Sequence, residues 1–385
     1  MELRWIIIIL MGAGILTLAV FGIIGLPRAD PEPDTAGAVD PGFISLPPGF
    51  KAEIFADNLP GARSLAFGDN GTVFIGTRDR GVVYAIRDSD SSGSADRRWT
   101  IAEGLFMPNG VAFRNGSLYV AEVNRIIRFD DIENRLDHPP DAVTVYSSLP
   151  SDTAHGWKYI RFGPDGMLYI PVGMPCNICD PAEERYGTIL RIHPEGSGAG
   201  IYARGIRNTV GFDWDPESGD LWFTENGRDW LGDDLPPDEL NRAPVAGMHF
   251  GFPAYYGNCT ENPEYAEKTY PADCVPPALN LPAHVAPLGM RFYTGTMFPE
   301  EYRNAIFLAE HGSWNRKTPI GYQVVTVQLH NGTAGPAVPF ARGFVDADGT
   351  VRGRPVDIGI LSDGSILISD DYADRIYRVS WRATS

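Results

Sequence analysis

Short runs along the chain alternate apolar and polar positions with the two-residue period of a strand, and these runs come in pairs joined by a glycine-containing turn. "LAFGDNGTVFIGT", "VAFRNGSLYVAE", "IRFGPDGMLYIPV", "FDWDPESGDLWFTE" and "IGILSDGSILISD" share one plan: a strand, a tight turn, then an alternating strand. A sixth copy, "MRFYTGTMFPEEYRNAIFLAE", carries an insertion in its turn. Each copy is followed by another β-rich run such as "GVVYAIRD" or "RIYRVSW", and the copies lie 46 to 78 residues apart. That is the size of a four-stranded propeller blade with or without insertions. The pattern predicts an all-β protein, a six-bladed β-propeller spanning 43–385, with the early strand "FKAEIFADNL" completing the last blade and closing the ring. A β-sandwich would carry similar turn signals but would not account for the spacing.

Ahead of this region, "MELRWIIIILMGAGILTLAVFGIIGL" has no charge from Trp5 to Leu26. It is long enough at about 1.5 Å per residue to cross a bilayer as a helix, and it exceeds the usual apolar core of a signal peptide. Residues 1–26 are therefore expected to be a transmembrane anchor or signal segment and 27–42 a Pro- and Asp-rich linker. The remainder is expected to be extracytoplasmic, periplasmic or at the cell surface, touching the membrane only through that segment. The four cysteines, Cys176 and Cys179 in "PCNICD" and Cys259 with Cys274, fit two local disulfides in such a compartment; a zinc site would need two distant pairs to converge. A formal charge of −17 argues against a nucleic-acid partner.

In a propeller, the residue just before the innermost strand of each blade faces one mouth of the central channel. Those positions read Arg63, Asn109, His155, the pair Arg207 and Asn208, His284, and Arg354. Any one alone reads first as a turn or hydrogen-bonding residue. Six converging on one mouth point to an anionic ligand with many acceptors, because arginine presents a planar fork of donors to carboxylates. His155, in "TAHGWKYIRFGPDG", is the best general-base candidate, since imidazole titrates near neutral pH. The loop "TENGRDWLGDDLPPDELN" is dense in carboxylates, which suits either calcium or a solvated acidic loop. Neither a phosphate-binding loop, a dinucleotide fingerprint nor a nucleophile elbow is present.

"HGWKYIRFGPDGMLYI", "ARGIRNTVGFDW", "TENGRDWLGDDLPPDELN" and "RGRPVDIGILSDG", taken in order, resemble the soluble-type sugar dehydrogenases that depend on pyrroloquinoline quinone (PQQ), especially their sorbosone dehydrogenase-like branch. The resemblance runs over roughly residues 45–381. It implies oxidation of a sugar, sugar aldehyde or related alcohol, with PQQ and Ca²⁺ at the channel mouth and electrons passed to an external quinone or cytochrome acceptor. By the same resemblance His155 is the catalytic base and Arg207 stands beside the reacting quinone carbonyl. Asn208 and Asn226 are cofactor contacts, grouped with Arg354, Asn109 and Arg63, while Gly227 and Arg228 offer backbone carbonyls to calcium.

Three positions depart from the family pattern. Ala154 stands where an acid often precedes the histidine, and Val356 where a second arginine follows the first, leaving Arg352 as its nearest substitute. No lysine matches the one the family supplies from the fifth blade, for which His311 and Arg316 are the candidates. Two other readings compete: a calcium-dependent lactonase or esterase, and a non-catalytic propeller that binds a peptide or glycan.

Overall fold

The structure, a computed structural model, describes residues 40–265 and 273–383. Six antiparallel sheets follow one another along the chain. Their first strands are Leu65–Phe67, Gly110–Arg114, Arg161–Phe162, Phe212–Trp214, Pro287–Phe292 and Pro355–Ile360, opening blades 1 to 6. Each of the six predicted copies supplies the first two strands of one blade. The expected anchor, residues 1–26, and nearly all of the linker lie outside the described residues. Among the described residues no helix is long and apolar enough to cross a membrane.

The alternation read from sequence is buried on both faces, because each blade is sandwiched between two others. In blade 1, Val73 and Ile75 pack toward blade 6 while Phe74 packs toward blade 2. In blade 4, Leu221 and Phe223 face blade 3 while Trp222 faces blade 5. Six apolar clusters result, one at each interface between neighbouring blades, and a small seventh (Val210, Leu288 and Val356) joins the first strands of blades 4, 5 and 6. Burial on both faces explains why the second strands read as nearly continuous apolar runs such as "LYIPV" and "LWFTE".

Glycine lets the innermost strands crowd together. A Cβ on Gly211 would lie 2.0 Å from the Leu288 carbonyl oxygen, and one on Gly110 would lie 2.6 Å from that of Lys158. Polar bonds then lace one blade to another: Asp357 Oδ2 accepts from the Leu65 amide at 2.9 Å, and Asp213 Oδ2 from the Phe292 amide at 3.0 Å.

The ring is closed as the sequence predicts. Phe50–Ala56 pairs antiparallel with Arg375–Trp381, from Phe50 opposite Trp381 to Ala56 opposite Ile376, and forms the outermost strand of blade 6. The long interval between the third and fourth strands of blade 4, Asp238–Ala243 and Leu279–Leu281, holds elements the repeat does not announce: Met248–His249, which adds a parallel strand to blade 3, and a hairpin of Tyr255–Tyr256 with Thr260–Glu261. Disulfides join Cys259 to Cys274 in this insertion and Cys176 to Cys179 above blade 3, the two local pairs expected.

Phe50 makes edge contacts with Phe298, Tyr302 and Phe340 at centroid distances of 4.8, 5.2 and 4.9 Å. Removing its ring leaves a void where the closing strand meets blade 5. Phe50→Ala is expected to lower unfolding stability by about 2 kcal/mol, read as a shift of the urea midpoint. An unchanged midpoint would mean that the closing strand carries little of the ring's stability.

Candidate functional site

At one mouth of the channel the loops preceding the first strands surround a cavity of about 440 Å³. Of the residues predicted from sequence, Arg63, His155, Arg207, Asn208, Asn226, Gly227, His284 and Arg354 line it. The Val210, Leu288 and Val356 cluster supports this wall from beneath, with Leu288 and the Trp157 packed against it reaching the cavity.

His155 sits on a tight turn with φ of 47°. Its Nδ1 is 2.8 Å from the carbonyl oxygen of Met174, so Nδ1–H donates and Nε2 is left unprotonated. Met174 thus supplies the orienting group that Ala154 cannot. Burial, with Arg207 nearby, lowers the imidazole to about 4, so the ring is neutral at physiological pH. Gly173 makes room for it: a Cβ there would lie 2.6 Å from His155 Cβ and 3.1 Å from Asn208 Oδ1.

Arg207 is 3% exposed and its fork is almost fully engaged. Nε donates to the Asn177 carbonyl oxygen (2.9 Å) and Nη1 to that of Asn226 (3.2 Å), while Nη2 reaches Asn177 Oδ1 (3.0 Å) and Asp229 Oδ2 (2.9 Å). Burial draws its pKa down, and Asp229 opposes that shift. Arg63 is equally buried. It donates to Asn109 Oδ1 at 2.6 Å and pairs with Asp371, which also accepts from His311 at 2.7 Å. Burial alone would raise the Asp371 carboxyl, but His311 and Arg63 outweigh it and hold it well below the usual carboxylate range. Arg354 spans the gap to blade 5, donating from Nε to the His311 carbonyl (3.1 Å) and from Nη2 to that of Gly312 (2.5 Å).

Two predicted residues stand elsewhere. Asn109 is fully buried behind the wall, where its amide joins Arg63, the Ser64 hydroxyl (3.1 Å) and the Lys158 carbonyl (2.8 Å). It steadies Arg63 and does not line the cavity. The Arg228 side chain turns into the blade 4 insertion, toward Asn262 (3.0 Å) and Glu264 (2.7 Å), while its neighbour Gly227 remains at the wall. Among the proposed substitutes, Arg352 is exposed and bonds Asp346, and Arg316 donates to the Ala283 carbonyl and pairs with Asp234. Only His311 reaches the cavity, and Val356 is committed to the apolar cluster beneath it.

The acidic loop is not a solvated tail. Asp229 is shared between Arg207 and Asn315, whose Nδ2 lies 2.7 Å from Asp229 Oδ1. Asp238 accepts amide bonds from Gly227 (2.7 Å) and Ala286 (2.9 Å), yet burial still pushes its carboxyl up to about 7. Behind Arg207, Glu225 and Glu239 share the amide of Asn241, and burial raises both.

Sequence reasoning missed Arg78, Trp157, Trp314, Asp371 and Tyr372, which also line the cavity. Arg78 stacks over the Trp157 ring at 4.8 Å. Trp314, 63% exposed, meets the 69% exposed Trp230 edge-on at 5.3 Å and forms an aromatic rim. Two exposed tryptophans so close in space were the signal available, but their positions in separate blades hid it.

Comparison with known proteins agrees with this architecture. Residues 120–313 match the family model for glucose/sorbosone dehydrogenases. A protein of Borreliella burgdorferi described as uncharacterized is 34% identical over 351 residues, covering 87% of this chain and 90% of its own. Among solved structures, the calcium structure of a family AA12 carbohydrate-active enzyme from Trichoderma reesei superposes with a TM-score of 0.77 at 20% identity, covering 90% of this chain and 98% of that one. The holo form of the pyranose dehydrogenase PQQ domain from Coprinopsis cinerea gives 0.74 at 18% identity, covering 89% and 98%. At such identities these structures share the fold, whereas the family model reaches across half of the sequence. The chain belongs to the glucose/sorbosone dehydrogenase family.

Proposed function

We propose that this chain is a PQQ- and calcium-dependent dehydrogenase that oxidises a sugar, sugar aldehyde or related alcohol. The observation that carries the reading is the convergence of Arg63, Arg78, Arg207 and Arg354 on one cavity beside a neutral, oriented histidine. The donor set fits the cofactor. PQQ is a planar quinone bearing carboxylates, and the wall offers guanidinium forks and the amides of Asn208 and Asn226. Calcium fits less directly, through the backbone carbonyls of Gly227 and Arg228 together with oxygens of the cofactor.

When bound, PQQ supplies the hydride acceptor, which no side chain can provide. The protein's residues do the rest. Nε2 of His155 takes the substrate hydroxyl proton, and the Met174 carbonyl keeps the ring in the tautomer that allows this. Arg207 sets a fixed positive charge where negative charge develops, and its partners Asn177 and Asp229 keep it there. Trp314 offers a flat apolar face at the rim for the C–H face of a sugar. Electrons leave to an external acceptor. The two disulfides suit an extracytoplasmic location, and the apolar segment 5–26 suits export or anchoring.

A calcium lactonase would need carboxylates from several blades turned toward one ion. Here Asp229, Asp238 and Asp371 each already hold a protein partner. Among the described residues, the group of three carboxylates gathered closely enough to hold a metal ion together is Asp88, Asp90 and Asp96, which are not among those lining the cavity.

The test is dye-linked turnover of aldoses and aldehydes by the full chain supplied with PQQ and Ca²⁺, beside lactone hydrolysis. Sugar-dependent dye reduction is expected; hydrolysis without it would replace this reading with the lactonase. His155→Ala should lower kcat by about 10²- to 10⁴-fold while leaving PQQ affinity nearly intact. Because the imidazole is neutral above about 4, turnover should hold from pH 7 down to about 5 and fall only as the ring gains a proton below that. An acid limb centred near the ordinary histidine value would contradict the buried environment of His155.

A further inference from the structure

The strand end and loop following Val172 touch both His155 and Arg207. Met174 accepts from His155 Nδ1 with its carbonyl at 2.8 Å and donates its amide to the Arg207 carbonyl, also at 2.8 Å. Two residues on, the chain enters the four-residue ring closed by the Cys176–Cys179 disulfide, and Asn177 sits inside that ring. Its carbonyl oxygen accepts from Arg207 Nε (2.9 Å), and its Oδ1 accepts from Arg207 Nη2 (3.0 Å) and the Asp229 amide (2.8 Å). Its Nδ2 donates to the Asp229 carbonyl at 3.1 Å.

The Asn177 side chain and its own backbone therefore bind the guanidinium and the backbone of Asp229, the residue whose carboxylate pairs with it. A guanidinium has five N–H donors. Two are taken by Asn177, one by Asp229 and one by the Asn226 carbonyl, which leaves one Nη1 hydrogen uncommitted in a residue that lines the cavity. Arginine side chains have many rotamers, and without this clasp Arg207 could fold back fully onto Asp229.

We infer that Asn177, held in the Cys176–Cys179 ring, is the positioning residue that fixes Arg207 relative to His155 and leaves one N–H for the ligand of the cavity. The inference rests on the proposed quinone reading for the identity of that ligand, but not for the clasp itself. It also gives "PCNICD" a role beyond covalent bracing: the short disulfide ring holds the Asn177 carbonyl where Nε meets it.

The test uses the full chain with Asn177→Ala, Arg207→Met, both together, and Cys176→Ser/Cys179→Ser. Two quantities are measured: the Kd for PQQ in the presence of Ca²⁺, and, in the cofactor-free protein, the hydrogen-exchange rate of the Arg207 Nε–H by NMR. Asn177→Ala is expected to weaken PQQ binding about tenfold, the size of one lost hydrogen bond to a charged group. In the Arg207→Met background it should add nothing, because the clasp acts only through that guanidinium. The Nε–H exchange should quicken about tenfold in the double serine variant, where the backbone carbonyl that accepts it is released, and by a smaller factor in Asn177→Ala, which keeps that carbonyl but loses the Nη2 acceptor.

Equal weakening by Asn177→Ala in both backgrounds, or unchanged exchange in Asn177→Ala and the serine variant alike, would overturn the inference. If the unaltered protein fails to bind PQQ, the quinone reading fails. The exchange rates then still decide whether Asn177 holds Arg207.

Discussion

Everything at the channel mouth depends on the antiparallel pairing of Phe50–Ala56 with Arg375–Trp381. Six sheets can surround one axis only if the last is completed by a strand from the beginning of the propeller, since an open ring would leave a long unpaired edge. Once closed, the ring fixes where each first strand begins and so brings the residues ahead of those strands to one end of the channel, where all but Asn109 line the mouth. The polar groups therefore converge because the ring closes, not because they attract one another.

That convergence has an electrostatic cost, which the protein offsets locally. Buried guanidinium groups need partners, and Arg63 and Arg207 each have a carboxylate of their own, Asp371 and Asp229. Both carboxylates are in turn shared with a residue of the blade 5 loop, His311 or Asn315. The cations are thus held at fixed points in an otherwise strongly acidic molecule of formal charge −17. A local positive patch in such a protein is well placed to bind a small anion while repelling large polyanions.

Much of this was legible in the sequence, and the limits have physical causes. The six strand–turn–strand copies are visible because every blade buries both faces, which keeps the alternation strong. His155, Arg207, Asn208 and Arg354 could be named because their place ahead of a first strand is indexed by the repeat. Asn109 obeys the same index but is drawn inward, since the amide that would face the mouth satisfies Arg63 and the Lys158 carbonyl. Arg78, Trp314 and Asp371 were hidden because they follow the second strands of their blades, in loops whose length and course the repeat does not set. The role of Met174 in place of the missing acid was equally hidden, because a backbone carbonyl leaves no mark on residue identity. The apolar N-terminal segment lies outside the described residues, so its expected role stands on hydropathy alone.

On the proposed function, the arginine-lined mouth binds an anionic quinone with the help of calcium. The most direct measurement is an ultraviolet–visible titration of the full chain with PQQ, with and without Ca²⁺. Saturable, stoichiometric uptake that depends on calcium and is lost in Arg207→Met is expected. Absence of uptake at micromolar PQQ, with the protein folded and calcium present, would contradict it.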